Sequence, residues 1–101
     1  MKTVNTAIKD LAGNFTIIHR GKLKHNTAEE IVFQSVPLEF LIQNISESGI
    51  IYLSLAGSAE IDGENTIKIP SMTEINRIRA RVKKISLISD SETEYQVIGV
   101  I

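Results

Sequence analysis

The sequence predicts an all-β fold, an antiparallel β-sandwich or small jelly roll of seven to eight short strands, and three observations point there. From Asn76 to Ile85 every second residue is cationic, Arg77, Arg79, Arg81 and Lys83, with Ile78, Ala80 and Val82 between them. Successive side chains of a strand point to opposite faces, so this spacing sets four charges in one row and three apolar groups toward a core, whereas a helix would scatter both sets. Turn residues recur about every ten residues between short apolar stretches, the spacing of a sandwich. Only one short segment, residues 27–31, carries a helix-start signature.

The elements follow in order. Lys2 to Lys9 alternates loosely, and Ala12, Gly13 and Asn14 supply turn chemistry before Phe15 to His19. Residues 1–25 therefore read as a hairpin or as an N-terminal arm exchanged between subunits, with Gly21 closing the second strand. Thr27 followed by Glu30 resembles a capping box, which predicts at most one helical turn before Ile31, Val32 and Phe33 turn the chain to strand. Pro37 interrupts the next register. Leu38, Phe40 and Ile42 alternate with Glu39, Leu41 and Gln43 as a central strand with apolar groups on both faces. Ser46 to Gly49 is a turn, Ile50 to Leu55 a strand ended by Gly57, Asp62-Gly63 a second turn, and Ile67 to Ile69 a strand stopped by Pro70. The basic strand, a strand over Lys84 to Ser89, a polar turn at Asp90 to Glu92 and a last strand over Tyr95 to Ile101 complete the chain. Ile42, Leu53, Ile69, Val82, Ile85, Leu87 and Val97 are the expected core.

Composition narrows the function. The chain has 101 residues, a single domain over 1–101, and a formal net charge of −1. Balanced charge argues against a nucleic-acid coat. Without cysteine there is neither a disulfide framework nor a cysteine-based metal site. The start lacks the apolar run of a signal peptide, and no apolar stretch approaches the ~20 residues that span a bilayer, so the expectation is a soluble chain made in the cytoplasm, with no membrane partner.

No catalytic, metal or cofactor site is expected, and the chain is predicted not to be an enzyme. His19 and His25 are its two histidines, and no nearby carboxylate completes a metal set before Glu29 and Glu30. Those two carboxylates are adjacent in sequence, poor geometry for an acid/base pair. No serine is marked as a nucleophile, and Gly57 and Gly63 are too isolated for a phosphate loop. The candidate site is instead the basic row, Arg77, Arg79, Arg81 and Lys83, docking on an acidic partner, since the guanidinium fork suits carboxylates. The bland alternative is a solvated face neutralised by Glu60, Asp62, Glu64, Glu92 and Glu94. Nucleic acid fits poorly because the row lacks interleaved aromatics. A second candidate, a carbohydrate contact, comprises Gln43, Asn44 and Tyr52, weighed against ordinary strand-end amides that complete a turn.

Sequence order adds a resemblance. A strand ending Leu41-Ile42-Gln43-Asn44-Ile45-Ser46 is followed by a turn and then by Ile51-Tyr52-Leu53-Ser54-Leu55. Next come the small residues Ala56-Gly57-Ser58-Ala59, the pair Ile67-Lys68-Ile69-Pro70, the strand Ile85-Ser86-Leu87-Ile88-Ser89 and the closing Tyr95-Gln96-Val97-Ile98-Gly99-Val100. Over residues 26–101 this order resembles that of small tailed-bacteriophage virion accessory proteins, with Ser71 where that family often has glycine. The resemblance implies a virion structural protein, a capsid decoration or head-associated module that docks on the particle and self-associates as a homo-oligomer. Its partners would be capsid or tail proteins and its location the virion, after synthesis in the host cytoplasm. The alternatives are a tail- or fibre-associated carbohydrate or receptor-binding module and, third, a small cytoplasmic ligand-binding barrel.

Overall fold

A computed structural model describes residues 3–8, 16–71 and 76–100. They form nine strands: β1 Thr3–Ile8, β2 Thr16–Leu23, β3 Ala28–Phe33, β4 Glu39–Asn44, β5 Ile50–Ser54, β6 Ile67–Pro70, β7 Asn76–Ile78, β8 Lys84–Ser89 and β9 Thr93–Val100. One sheet has the order β1-β3-β8-β5-β6 and the other β2-β9-β4-β7. Strands β2 to β9 pair as nested antiparallel couples, β2 with β9, β3 with β8, β4 with β7 and β5 with β6. Strands β2 to β9 thus make one long two-stranded ribbon, doubled back at residues 55–66 and folded onto itself, with β4–β9 and β5–β8 ladders knitting the folds and β1 added in parallel at the edge of β3. That is the jelly roll, and the predicted all-β sandwich holds.

The core lies between the sheets. Leu23, Ile31, Phe33, Phe40, Ile42, Ile51, Leu53, Ile69, Ile85, Leu87, Tyr95 and Val97 form one buried cluster. Six of the seven expected core residues belong to it. The seventh, Val82, is half-buried and packs against its margin. β8 is buried on both faces from Ile85 to Ser89 because the 55–66 loop folds over the outside of its sheet, where Ala28, Tyr52, Ala59 and Ile88 make a second cluster. The Ala59 backbone N–H donates to Ser86 Oγ at 2.8 Å and fastens that loop. At the β4–β5 turn Gly49 has φ +94°, and an added Cβ would collide with Ser91 Oγ, so only glycine closes it without strain.

Four expectations are corrected. No helical turn forms at residues 27–31: Asn26 takes a left-handed conformation (φ 52°), Thr27 Oγ1 donates to the His25 carbonyl, and β3 begins at Ala28. A ladder on each side of β3 outweighs the local capping signal. Among the described residues β1 and β2 do not pair as a hairpin, because β1 pairs in parallel with β3 while β2 lies in the opposite sheet against β9. The expected turn at Ala12 to Asn14 lies outside the described residues. Leu38 precedes β4 instead of belonging to it and is 53% exposed. The basic stretch is not one strand either: β7 stops at Ile78, and residues 79–83 cross from one sheet to the other.

Candidate docking surface

The basic row sits on a corner of the ribbon. Both arms change sheets together there, residues 34–38 between β3 and β4, residues 79–83 between β7 and β8. The crossing is pinned at its ends by Phe33 N–H donating to the Lys83 carbonyl (2.7 Å) and Leu38 N–H donating to the Val100 carbonyl (2.7 Å). Although the ladder has ended, exposure still alternates: Arg77, Arg79, Arg81 and Lys83 are exposed while Ile78, Ala80 and Val82 are half-buried. Extended chain keeps its period of two whether or not its backbone groups are paired.

Glu39 divides the row. Antiparallel register sets Leu41 against Arg77 and Phe40 against Ile78, which brings Glu39 within 3.7 Å of Arg77 Nε and 3.6 Å of Arg79 Nε. These separations exceed hydrogen-bond length, and both arginines are more than half exposed, so each pair contributes only ~0–1 kcal/mol. Arg81 and Lys83 have no ion pair among the described residues. The acids expected to neutralise the row are engaged elsewhere or lie apart from it: Asp62 meets Lys68 at 3.2 Å and Glu92 meets Lys22 at 3.5 Å. On the facing arm of the corner, Val36 and Leu38 are 47% and 53% exposed on either side of buried Pro37. The corner therefore presents two apolar side chains beside two uncompensated cations, a combination that an acidic, partly apolar protein surface would complement.

The carbohydrate candidates do not meet. Asn44 is fully buried, its Nδ2 donating to the carbonyls of Gly49 and Ile69 (both 3.1 Å) and its Oδ1 accepting from Ser46 N–H (3.1 Å). It closes the turn, as the bland reading had it. Tyr52 is 3% exposed beneath the 55–66 loop, and its hydroxyl donates to Asp62 Oδ1 at 3.3 Å. Burial, then the Asp62 carboxylate, raises its phenol above the ordinary range. Gln43 alternates with buried Ile42 and Asn44 and so faces outward from the other sheet. One residue is interior and the other two lie on opposite outer faces, beyond the reach of one sugar.

A polar cluster between the sheets escaped the sequence reading. His19 on β2 and Tyr95 on β9 share the inner face of one sheet, and Glu29 on β3 meets them from the other. The Tyr95 hydroxyl donates to Glu29 Oε1. His19 Nε2 lies 3.0 Å from that phenol oxygen and 3.8 Å from the carboxylate. Because the phenol proton is committed to Glu29, the His19 Nε2–H is the donor to Tyr95. Burial, then the bond to Glu29 and its charge, push the Tyr95 phenol well above its usual range, so it stays protonated. Among the described residues no three His, Cys, Asp or Glu side chains converge. Gly21 lies under the ring, where a Cβ would stand 2.6 Å from the Tyr95 oxygen. His25 lies elsewhere, bridging in parallel to Ser89 and sharing a contact with Asn26. His19 and Tyr95 are 76 positions apart, so no local signal marks the cluster.

No protein-family model matches the sequence, and no curated protein matches it. Solved structures do. A cupin domain from Bordetella pertussis Tohama I superposes with a TM-score of 0.60 at 10% identity, over 100% of this chain and 98% of that one. The likeness is one of fold. Two PliG proteins, periplasmic inhibitors of g-type lysozyme, also superpose: that of Aeromonas hydrophila with TM-score 0.55 at 10% identity, covering 99% of this chain and 98% of that one, and that of Salmonella Typhimurium with TM-score 0.52 at 14% identity, covering 97% and 98%.

Proposed function

We propose that this chain is a non-catalytic docking module, and more narrowly an accessory structural protein of a tailed-bacteriophage virion, seated on its partner through the 34–38/79–83 corner. One observation carries the docking reading: Arg81 and Lys83, without ion pairs among the described residues, stand beside exposed Val36 and Leu38 on a corner held by backbone bonds at its ends. Exposed apolar groups rimmed by charge mark a contact surface. The narrower virion reading rests on the order of sequence words over residues 26–101. Jelly rolls serve viral capsid, lectin and cupin domains alike, so the fold agrees with that reading without deciding it. The lysozyme inhibitors among the fold neighbours are, by their names, proteins that act on another protein. Partners are then virion proteins of capsid or tail and further copies of the chain, the location is the virion, and nucleic acid and membrane have no role.

The test is particle loading. Purified particles are fractionated into heads and tails, the chain is traced by mass spectrometry, and the Arg81→Glu/Lys83→Glu variant is loaded alongside the parent. Loss of loading with an unchanged far-ultraviolet dichroism spectrum is the expected result. Normal loading of the variant at low salt overturns the docking surface, and absence of the chain from all particle fractions overturns the virion assignment.

A further inference from the structure

The charges of this chain are sorted along its strands. Five of its eleven cationic residues, Arg77, Arg79, Arg81, Lys83 and Lys84, fall within eight positions at or beside the corner where β4 begins and β9 ends. At the other end of those strands lie the β4–β5 turn with Glu47, the β8–β9 turn with Asp90 and Glu92, and Glu94 at the start of β9. There Lys22 compensates Glu92, while Glu47 and Glu94 have no ion pair among the described residues. A shallow depression lies beside these two turns, lined by Glu47, Glu92 and Glu94, by Lys22 and by half-buried Ile45, so three carboxylates share one cation there. The basic end thus sets Arg81 and Lys83 beside exposed Val36 and Leu38, with Lys84 paired to Glu30, and the acidic end sets Glu47 and Glu94 around half-buried Ile45, so the unpaired charges at the two ends are of opposite sign.

The ends cannot meet within one molecule. β4 alone has six residues, roughly 17–20 Å of strand, and it separates the corner from the turn it leads into. We infer that the occupant of the basic corner is the acidic end of a second copy, so that the chain associates head to tail. Arg81 and Lys83 of one molecule face Glu47 and Glu94 of the next, and Val36 and Leu38 cover Ile45. This names the partner of the docking surface proposed above and rests on that reading. Because different patches meet, the contact is heterologous, and repetition gives a ring if the rotation closes and a filament if it does not. A contact of exposed charges gains little per pair in dilute solution and is screened by salt. Association is therefore concentration-dependent and sharpened wherever copies are already crowded on a surface.

Sedimentation velocity on the full chain tests this, with the parent, Arg81→Glu/Lys83→Glu, Glu47→Lys/Glu94→Lys and an equimolar mixture of the two variants. The parent is expected to sediment faster as concentration rises in about 0.1 M salt and to revert to monomer in about 1 M, where the screening length falls to ~3 Å. Each variant alone is expected to be monomeric, and the mixture to associate again, because each variant now carries the sign the other lacks. A parent that is monomeric at every concentration in low salt, or a mixture that fails to recover, overturns the inference. The salt response of the parent decides the matter even if a variant folds poorly. Particle loading separates the two proposals. A monomeric parent whose basic-corner variant no longer loads leaves docking standing and removes the self-partner, whereas one whose variant loads normally removes both.

Discussion

Replacing Tyr95 with phenylalanine removes a single oxygen from the space between the sheets and tests whether the His19–Tyr95–Glu29 chain holds them together. The ring keeps its place in the core, but Glu29 loses its phenol donor and His19 Nε2–H loses its acceptor. A hydrogen bond to a charged acceptor contributes about 1.5–3 kcal/mol. For a chain of this size each kcal/mol moves the melting midpoint by about 4–8 °C, so Tyr95→Phe should melt about 6–24 °C below the parent at neutral pH. The pH response gives an independent check. The folded phenol is raised above the ordinary value of about 10, so above that pH the unfolded chain releases a proton that the folded chain retains, and stability falls as pH rises. The slope attributable to Tyr95 is at most about 1.4 kcal/mol per pH unit, reached where the unfolded phenol is ionised and the folded one is not. Thermal melts followed by circular dichroism between pH 7 and pH 11, parent against variant, measure both effects, and their difference cancels the titration of lysines and Tyr52. The parent's advantage should shrink above about pH 10. A variant that melts with the parent at pH 7, or a difference that stays constant into the alkaline range, would refute the chain's role.

Two further substitutions test other joints of the fold. Gly21→Ala would place a methyl 2.6 Å from the Tyr95 oxygen and 2.7 Å from Cζ, forcing the ring off Glu29. The urea midpoint should fall by the equivalent of about 1–3 kcal/mol with an unchanged m-value, and a midpoint equal to the parent's would mean that the ring has room. Asn44→Ala would strip partners from the carbonyls of Gly49 and Ile69 and the N–H of Ser46. The buried Ile69 carbonyl alone should cost about 1–3 kcal/mol, with less added by the half-buried Gly49 carbonyl and Ser46 N–H, and a loss below about 1 kcal/mol would show that water replaces the amide.

What the sequence revealed and what it hid divide along a physical line. Period-two alternation reports which face a side chain takes, and that information survives in one dimension: Ile42, Leu53, Ile85, Leu87 and Val97 were placed inside from their neighbours alone, and they are fully or almost fully buried. Pairing partners are not local. The parallel addition of β1 to β3, the meeting of His19 with Tyr95 across 76 positions, and the placing of Glu39 between Arg77 and Arg79 depend on register between distant segments. No periodicity encodes that register. The capping signature at Thr27 misled for the same reason, since a one-turn preference worth about 1 kcal/mol competes with two ladders that the local sequence does not show.

Register also decides which part of the basic row is available to a partner. With Phe40 opposite Ile78, the carboxylate of Glu39 falls between Arg77 and Arg79. A slip of two residues toward the C-terminus would preserve every inside and outside assignment and move that carboxylate between Arg79 and Arg81 instead. Alternation alone makes the four charges equivalent and does not distinguish these arrangements. The ladder can, because it ends at Ile78 and releases the chain into the corner, beyond the last β4 residue able to offer a compensating charge. Arg81 and Lys83 are therefore left uncompensated by topology: they occupy the stretch in which the ribbon changes sheets, where the facing arm presents Val36 and Leu38 and no acid.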